Sequence, residues 1–207
     1  IIGAVSPPSA DFSEPVTTHT KRYTRCFWAL DATRAQARFY PAIHPLLSYS
    51  QDSDVLADFW NQQGNPQWSE QRRRFLTLLE EQSKLERMAR IVGKDALPPR
   101  QQNILMSAEL VNEAFLRQSA FSPIDRYCSP ARQIAMMRVI TRFIELSESA
   151  VAEGVSIERI NDLPVMRKIR RMGEDIAEDQ LDEYKELMRS LEAEFTHLTE
   201  GVLSNAR

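Results

Sequence analysis

The stretch FLRQSAFSPIDRYC, residues 115–128, decides how the rest of the chain is interpreted. Phe115 and Phe121 lie where a helical pattern gives way to the turn residues Ser122-Pro123. Because a break followed by proline favours extended or turn backbone, we expect the helix to end near Gln118. Both phenylalanines then lie close to a bend. Two interpretations stay open: core side chains at the end of a helical hairpin, or an aromatic clamp for a flat ligand.

Length and composition predict a soluble globular protein with a sizeable core. The chain has 207 residues, of which 43 % are hydrophobic and 27 % charged, with a formal net charge of −3. That charge gives no general reason to expect nucleic acid or anionic lipid as a partner. The two cysteines, Cys26 and Cys128, favour buried thiols in a reducing compartment over a disulfide framework. No apolar run approaches the roughly 20 residues that span a bilayer.

The chain opens on IIGAV, residues 1–5, a short apolar run typical of a buried strand. The residues that follow hold too few strands to cover both of its faces. Because a lone strand would leave its backbone groups unpaired, we expect residues 1–5 to belong to a larger sheet. The first residue is also not methionine. We therefore predict that the chain is the C-terminal part of a longer protein.

Residues 6–60 combine loops with short elements. Ser6 to Thr18 is rich in proline, serine and threonine and predicts a loop. Within it, Asp11 and Glu14 suggest either a carboxylate acid/base pair or solvated caps; without a neighbouring histidine or metal cluster the second is favoured. We further expect a strand at Cys26–Leu30, a helical turn at Thr33–Arg38 and an extended segment at Phe39–Ile43, the last pieces of an α/β sheet.

From about residue 53 onward the pattern is helical, because apolar residues recur near a 3.6-residue period between proline and glycine boundaries. The first long helix follows Asn65-Pro66 and closes at Gly93, a second opens at Pro98-Pro99, and a third runs from Ser129-Pro130 to Gly154. The predicted apolar stripe of the first is Phe75, Leu78, Leu79, Leu85, Met88 and Val92.

Shorter helices are expected at residues 156–161 and 164–172, before a last long amphipathic helix that carries Leu181 to Leu198. Its first turn is predicted to be acidic, at Glu178 and Asp179, which suits the helix dipole. The second part of the chain is therefore predicted to be a helical bundle.

Motifs that bind phosphate or metal are absent from the sequence. It contains neither GxxxxGK[ST] nor GxGxxG, and its three histidines, His19, His44 and His197, lie far apart. Two basic clusters, residues 72–74 and 167–171, lack interleaved aromatic residues. A solvated helix face or an intersubunit contact is favoured for them over a nucleic-acid site.

Ordered motifs along the chain resemble those of the catalytic A subunit of V-type and archaeal-type ATPases and ATP synthases. They are IIGAVSPPSADFSEPVT (1–17), FWALDA (27–32), RFYPAIHPLLSYS (38–50), IVGKDALP (91–98) and FLRQSAFSPIDRYC (115–128), and the similarity continues through residues 160–172. The resemblance implies a mainly α fold. A C-terminal helical bundle domain, residues 61–207, would follow the terminal strands and loops of an α/β nucleotide-binding (P-loop ATPase) domain, residues 1–60.

The resemblance also implies site residues. The matching positions of the family's adenine pocket are Tyr40, Pro41, Phe115 and Phe121, since an aromatic face can stack on a purine. Those of its contact with the central rotor shaft lie in the loop from Gly93 to Arg100, where Lys94, Asp95 and Arg100 are the polar candidates. No catalytic residue and no metal ligand is expected in this part of the protein.

Further implications concern cofactors and partners. The resemblance implies ATP or ADP with Mg²⁺ in the full-length enzyme, and none bound to this fragment, which we expect to be inactive because it lacks the phosphate loop. It implies a non-catalytic B subunit in an alternating hexamer and central stalk proteins as partners. Neither nucleic acid nor direct membrane insertion is expected; the complex would sit on the cytoplasmic face of the membrane and move H⁺ or Na⁺.

Two alternatives stay open, and one motif departs from the family. A non-catalytic sister subunit would carry an arginine finger after the YPAI-like stretch, but Ser48 to Asp58 contains no arginine. An unrelated helical protein-interaction or nucleic-acid module would have no reason to retain the N-terminal motifs. The usual SPPGGD is here SPPSAD, with Ser9 and Ala10 in place of two glycines, which puts the backbone path of that loop in doubt.

Overall fold

The computed structural model describes the backbone of residues 1–8 and 11–205, and side chains as far as residue 201. It is mainly helical, with short elements first and long helices after. The elements are α1 (Pro15–Tyr23), β1 (Cys26–Phe27), α2 (Ala32–Gln36), β2 (Tyr49–Ser50), α3 (Ser53–Gln62), α4 (Trp68–Val92), α5 (Pro99–Val111), α6 (Pro130–Ala152), α7 (Ile157–Asn161), α8 (Pro164–Asp175) and α9 (Leu181–Asn205). A 3₁₀ turn (Lys94–Ala96) joins α4 to α5, and a π-helical segment (Asn112–Leu116) continues α5.

Residues 1–5 do not form the predicted strand. Their backbone is irregular, and the side chains of Ile1 and Ile2 are fully exposed. The physical reason is a missing partner, because the sheet within the described residues contains β1 and β2 alone. The departure from the family motif at Ser9 and Ala10 lies outside the described residues.

The prediction of a loop from Ser6 to Thr18 is wrong in its second half, because α1 begins at Pro15. The Glu14 carboxylate accepts hydrogen bonds from the N–H groups of Val16 and Thr17, at 2.9 and 3.0 Å, and so caps the helix. These backbone hydrogen bonds, with that of Thr17 first, lower the pKa of Glu14. The interpretation of Glu14 as a cap is therefore confirmed.

The strand predicted at Cys26–Leu30 is much shorter in the structure. Only Cys26–Phe27 pairs, antiparallel to Tyr49–Ser50, and an isolated bridge joins Leu30 to Ile43. The helical turn predicted at Thr33–Arg38 is confirmed as α2, which is capped by the Asp31 carboxylate. The Tyr40-Pro41 peptide bond that follows is cis.

The long helices pack into a bundle in which α5 lies between α4 and α6, and α9 packs along α6. Phe143 of α6 meets Phe195 of α9 edge to face, with ring centroids 5.9 Å apart. Apolar side chains of α5, α6, α8 and α9 supply most of this core. Its fully buried side chains include Leu110, Val111, Ile140, Phe143, Ile144, Ile160, Ile169, Met172 and Leu191.

The predicted stripe of α4 is buried only over its first part. Phe75, Leu78, Leu79 and Leu85 are buried, whereas Met88 and Val92 are 50 % and 56 % exposed, so that part of the prediction is wrong. At this end of α4, a small cluster that is separate from the main core buries Leu85 and Ala89 against Leu97 and Leu105, and Met88 and Val92 lie outside it.

The other helix boundaries agree closely with those predicted from the sequence, with one exception at the last helix. The helix expected to end near Gln118 ends at Leu116, with Arg117 as its C-cap. The last helix begins at Leu181, so Glu178 and Asp179 precede it, and its acidic first turn is Asp182 and Glu183 instead. No helix of the described residues is long and apolar enough to cross a bilayer.

Candidate functional site

The backbone of the Tyr40-Pro41 segment meets the 115–128 stretch. The N–H of Gln118 donates a hydrogen bond to the carbonyl oxygen of Tyr40, at 2.7 Å. Gln118 lies just after the π-helical segment, and Tyr40 lies after α2. Two segments separated by many residues, and matched to the adenine pocket by resemblance alone, are therefore neighbours in the structure.

The rings of this site face different ways. Phe121 is fully exposed, Tyr40 is 53 % exposed and Pro41 is also exposed, so these three present open apolar surface. Phe115 is half-buried and meets Phe75 of α4 edge to face, with centroids 5.7 Å apart. The structure thus brings the two segments together but packs the Phe115 ring towards the core.

Phe115 also lines an aromatic groove of about 460 Å³ that sequence reasoning missed. Trp60 of α3 stacks on Trp68 of α4, with centroids 5.7 Å apart and planes at 14°, and the Arg72 guanidinium lies 5.9 Å from the Trp68 ring. The third tryptophan, Trp28, lines the same groove. All three tryptophans of the chain therefore line one groove, but nothing in their spacing along the sequence indicated that they would meet.

A polar contact joins α2 to the helical hairpin. The Arg34 guanidinium donates to the side-chain oxygen of Asn112, at 2.8 Å, and lies 4.3 Å from the centroid of the Phe39 ring. Asn112 donates in turn to Gln82 of α4, at 3.0 Å. Burial lowers the pKa of Arg34, partly offset by Asp31. This chain of hydrogen bonds fixes the first part of the chain against the start of the π-helical segment.

The loop that carries Phe121 is built by side-chain hydrogen bonds. The Ser122 hydroxyl accepts from the N–H groups of Ile124 and Asp125, at 3.3 and 3.2 Å, and the Asp125 carboxylate accepts from the N–H of Ser119. Asp125 is 7 % exposed, and burial raises the pKa of its carboxyl. The completely buried Arg132 of α6 donates to this loop as well. No pattern in the sequence distinguished Asp125 or Arg132 beforehand.

The residues predicted to contact a rotor lie together at the tip of the α4–α5 hairpin. Lys94 and Asp95 belong to the 3₁₀ turn and Arg100 to the first turn of α5, and all three are exposed. Leu97 between them is buried, and its carbonyl oxygen accepts from the Gln102 side chain at 2.8 Å. The tip is therefore a turn that is fixed by this hydrogen bond and by the burial of Leu97, and it exposes charged side chains.

The remaining sequence candidates are structural or on the surface. The Nδ1 atom of His44 lies 3.2 Å from the N–H groups of Leu46 and Leu47 and accepts from both. Arg74 of the first basic cluster pairs with Glu148 of α6, at 2.8 Å, and Arg171 of the second with Asp175. Among the described residues, no group of histidine, cysteine and acidic side chains could hold a metal ion.

Comparisons with known proteins cover both parts of the chain. A family model for the C-terminal domain of V and A type ATP synthase matches residues 57–161, and one for the nucleotide-binding domain of the ATP synthase alpha/beta family matches residues 1–50. Over 198 residues the chain is 43 % identical to the A subunit of the A-type ATP synthase of Thermococcus onnurineus, an alignment that covers 96 % of this chain and 33 % of that protein.

Two further relatives carry the same name. The Pyrococcus abyssi protein is 45 % identical over 172 residues, 83 % of this chain and 17 % of its own length. The Staphylothermus marinus protein is 42 % identical over 198 residues, 96 % of this chain and 33 % of its own length. The chain therefore spans a third or less of the length of these relatives.

Proposed function

This chain belongs to the family of V- and A-type ATP synthase C-terminal domains, and on that premise we propose that it forms the C-terminal part of the catalytic subunit of a rotary ATPase. The intact subunit would hydrolyse or synthesise ATP in step with transport of H⁺ or Na⁺. Residues 1–60 would complete the nucleotide-binding domain and residues 61–207 would form the helical domain. The observation that carries the proposal is the hydrogen bond between Gln118 and Tyr40, which joins the two segments that the family resemblance assigns to the adenine pocket.

In this proposal, the adenine ring stacks on exposed aromatic surface beside that hydrogen bond. Tyr40 and Phe121 offer such surface, which suits a flat base, and Pro41 adds exposed apolar surface next to Tyr40. The Phe115 ring packs against Phe75 on the side of the core. Base–aromatic stacking contributes about 1–3 kcal/mol per base without specific hydrogen bonds. The phosphates and Mg²⁺ would be held by the part of the full-length protein that carries the phosphate loop, where the phosphoryl chemistry takes place. The role of this chain is to bind and orient the base.

The hairpin tip is proposed as the contact with the central rotor. Lys94, Asp95 and Arg100 are exposed there, at the end of two packed helices that can transmit a push from the bundle. The non-catalytic B subunits would alternate with this protein in a hexamer at the cytoplasmic face of the membrane. Reversing the charges of Lys94 and Arg100 should reduce ATP-driven pumping more than ATP hydrolysis; unchanged coupling would refute the contact.

The adenine assignment is tested in the full-length protein within the assembled enzyme. Phe121→Ala removes one stacking face, so we expect the KM for ATP to rise about tenfold, as the stacking energy implies, with kcat little changed. Tyr40→Ala should raise it in the same direction. Tyr23→Ala, at an 86 % exposed tyrosine of α1 outside the site, is the matched control. A wild-type KM in the Phe121→Ala variant would refute the assignment.

A further inference from the structure

One buried arginine holds the loop between the π-helical segment and α6. Arg132 lies in the first turn of α6 and has no exposed surface. Its Nη1 group donates to the carbonyl oxygens of Ile124 and Tyr127, at 3.0 and 2.8 Å. Both acceptors are main-chain atoms of the segment that follows Phe121, so the path of that segment depends directly on the guanidinium.

The same guanidinium reaches the last two helices. Its Nη2 group donates to the carbonyl oxygen of Gly173 in α8, and its Nε group to the hydroxyl of Tyr184 in α9, at 3.2 Å. Glu178 lies 3.5 Å from Nη1 and also accepts from the N–H of Ser129, at 2.9 Å. The planar guanidinium carries five N–H donors and can therefore bond to all of these acceptors at once, whereas the ammonium group of lysine has three donors on one atom.

The loop is also in close contact with α8, through Asp125. A Cβ atom at Gly173 would lie 3.2 Å from an oxygen of Asp125, which leaves little room for a side chain there. That same carboxylate accepts from the N–H of Ser119. The backbone is therefore held at Ser119 before Phe121 and at Ile124 and Tyr127 after it.

We propose that Arg132 is a positioning residue for the adenine site, one that never touches the nucleotide and acts by holding the loop on which Phe121 stands. The inference rests on the proposed function. Because the Phe121 ring is fully exposed, the loop backbone fixes where the ring lies. Release of the loop should therefore weaken binding of the base without changing the chemistry at the phosphates.

A double-mutant cycle in the full-length protein of the assembled enzyme tests this. Arg132→Met should raise the KM for ATP about five- to tenfold with kcat retained, and Arg132→Lys, which keeps the charge, should restore part of the loss. Added to Phe121→Ala, Arg132→Met should raise the KM no further, because the ring through which it acts is gone. Arg142→Met removes a surface arginine of the same helix and should leave the KM unchanged.

The outcomes separate this inference from the proposed function. If Phe121→Ala leaves the KM unchanged, the adenine assignment itself fails. If Phe121→Ala raises the KM while Arg132→Met does not, or if their effects multiply, the positioning role alone is overturned. Should Arg132→Met fail to assemble, amide exchange of the 207-residue chain with Arg132→Lys decides. At least tenfold faster exchange at Ser119, with α9 unchanged, supports the role, and unchanged exchange at Ser119 refutes it.

Discussion

At the scale of single residues, Cys128 at the end of the Phe121 loop offers a direct test of the burial seen there. Burial raises the pKa of its thiol from 9.0 to about 11, opposed in part by Arg132. A two-unit rise leaves about a hundredfold less thiolate near pH 8, so iodoacetamide should modify Cys128 about a hundredfold more slowly in the native chain than in urea. Mass spectrometry of a Cys26→Ser variant, which removes the exposed cysteine, measures both rates.

The same thiol predicts how stability depends on pH. The native state keeps the Cys128 proton up to about pH 11, while an unfolded thiol loses it near pH 9.0, so the free energy of unfolding should fall as pH rises between these values. A Cys128→Ser variant should lose that part of the dependence, which urea titrations across the range can measure. Equal modification rates in native and unfolded chains would contradict both expectations.

The sequence placed both phenylalanines at a bend but could not orient their rings. Phe121 is fully exposed on a loop whose backbone is hydrogen-bonded to Asp125, Ser122 and Arg132. Asp125 and Arg132 also contact α8, and Arg132 contacts α9. Phe115 faces Phe75, a residue of another helix. Local patterns indicate where a chain bends, but side-chain direction at a bend is set by distant parts of the fold.

At the scale of elements, the turn at Gly93 ends α4 in a conformation open to glycine almost alone. Its φ is 88° and its ψ is 149°. A residue with a side chain adopts this conformation only at a cost of about 1–3 kcal/mol. Gly93→Ala should therefore lower the free energy of unfolding by about that amount in urea titrations. Gly3→Ala is the control, since Gly3 has no positive φ and no neighbouring atom within 4 Å of an added Cβ. Equal stabilities of the two variants would refute the strain.

Helices were predictable because their boundaries are local. Proline at the first turn of α5, α6 and α8, and Gly154 after α6, fixed ends that agree with the structure within a few residues. The structure of residues 1–5 was not predictable from their apolar character, because a strand exists only where another strand pairs with it. The half-exposed Met88 and Val92 show the same limit: the 3.6-residue period identified the helix, but not how far its neighbours extend along it.

At the scale of the whole molecule, the proposed function is that of a chain that orients a base and leaves phosphoryl transfer to other parts of the full-length protein. The chain spans 33 % of the length of its Thermococcus onnurineus relative, and its 207 residues contain no phosphate-loop motif. Stacking on exposed rings can hold adenine, whereas phosphoryl transfer needs groups that surround the γ-phosphate and its Mg²⁺. We therefore expect the purified chain to release no phosphate from millimolar ATP, while the full-length protein in complex with its partners does. If the purified chain did release phosphate and Phe121→Ala abolished that activity, this division of roles would be contradicted, because a contaminating ATPase would not respond to the substitution.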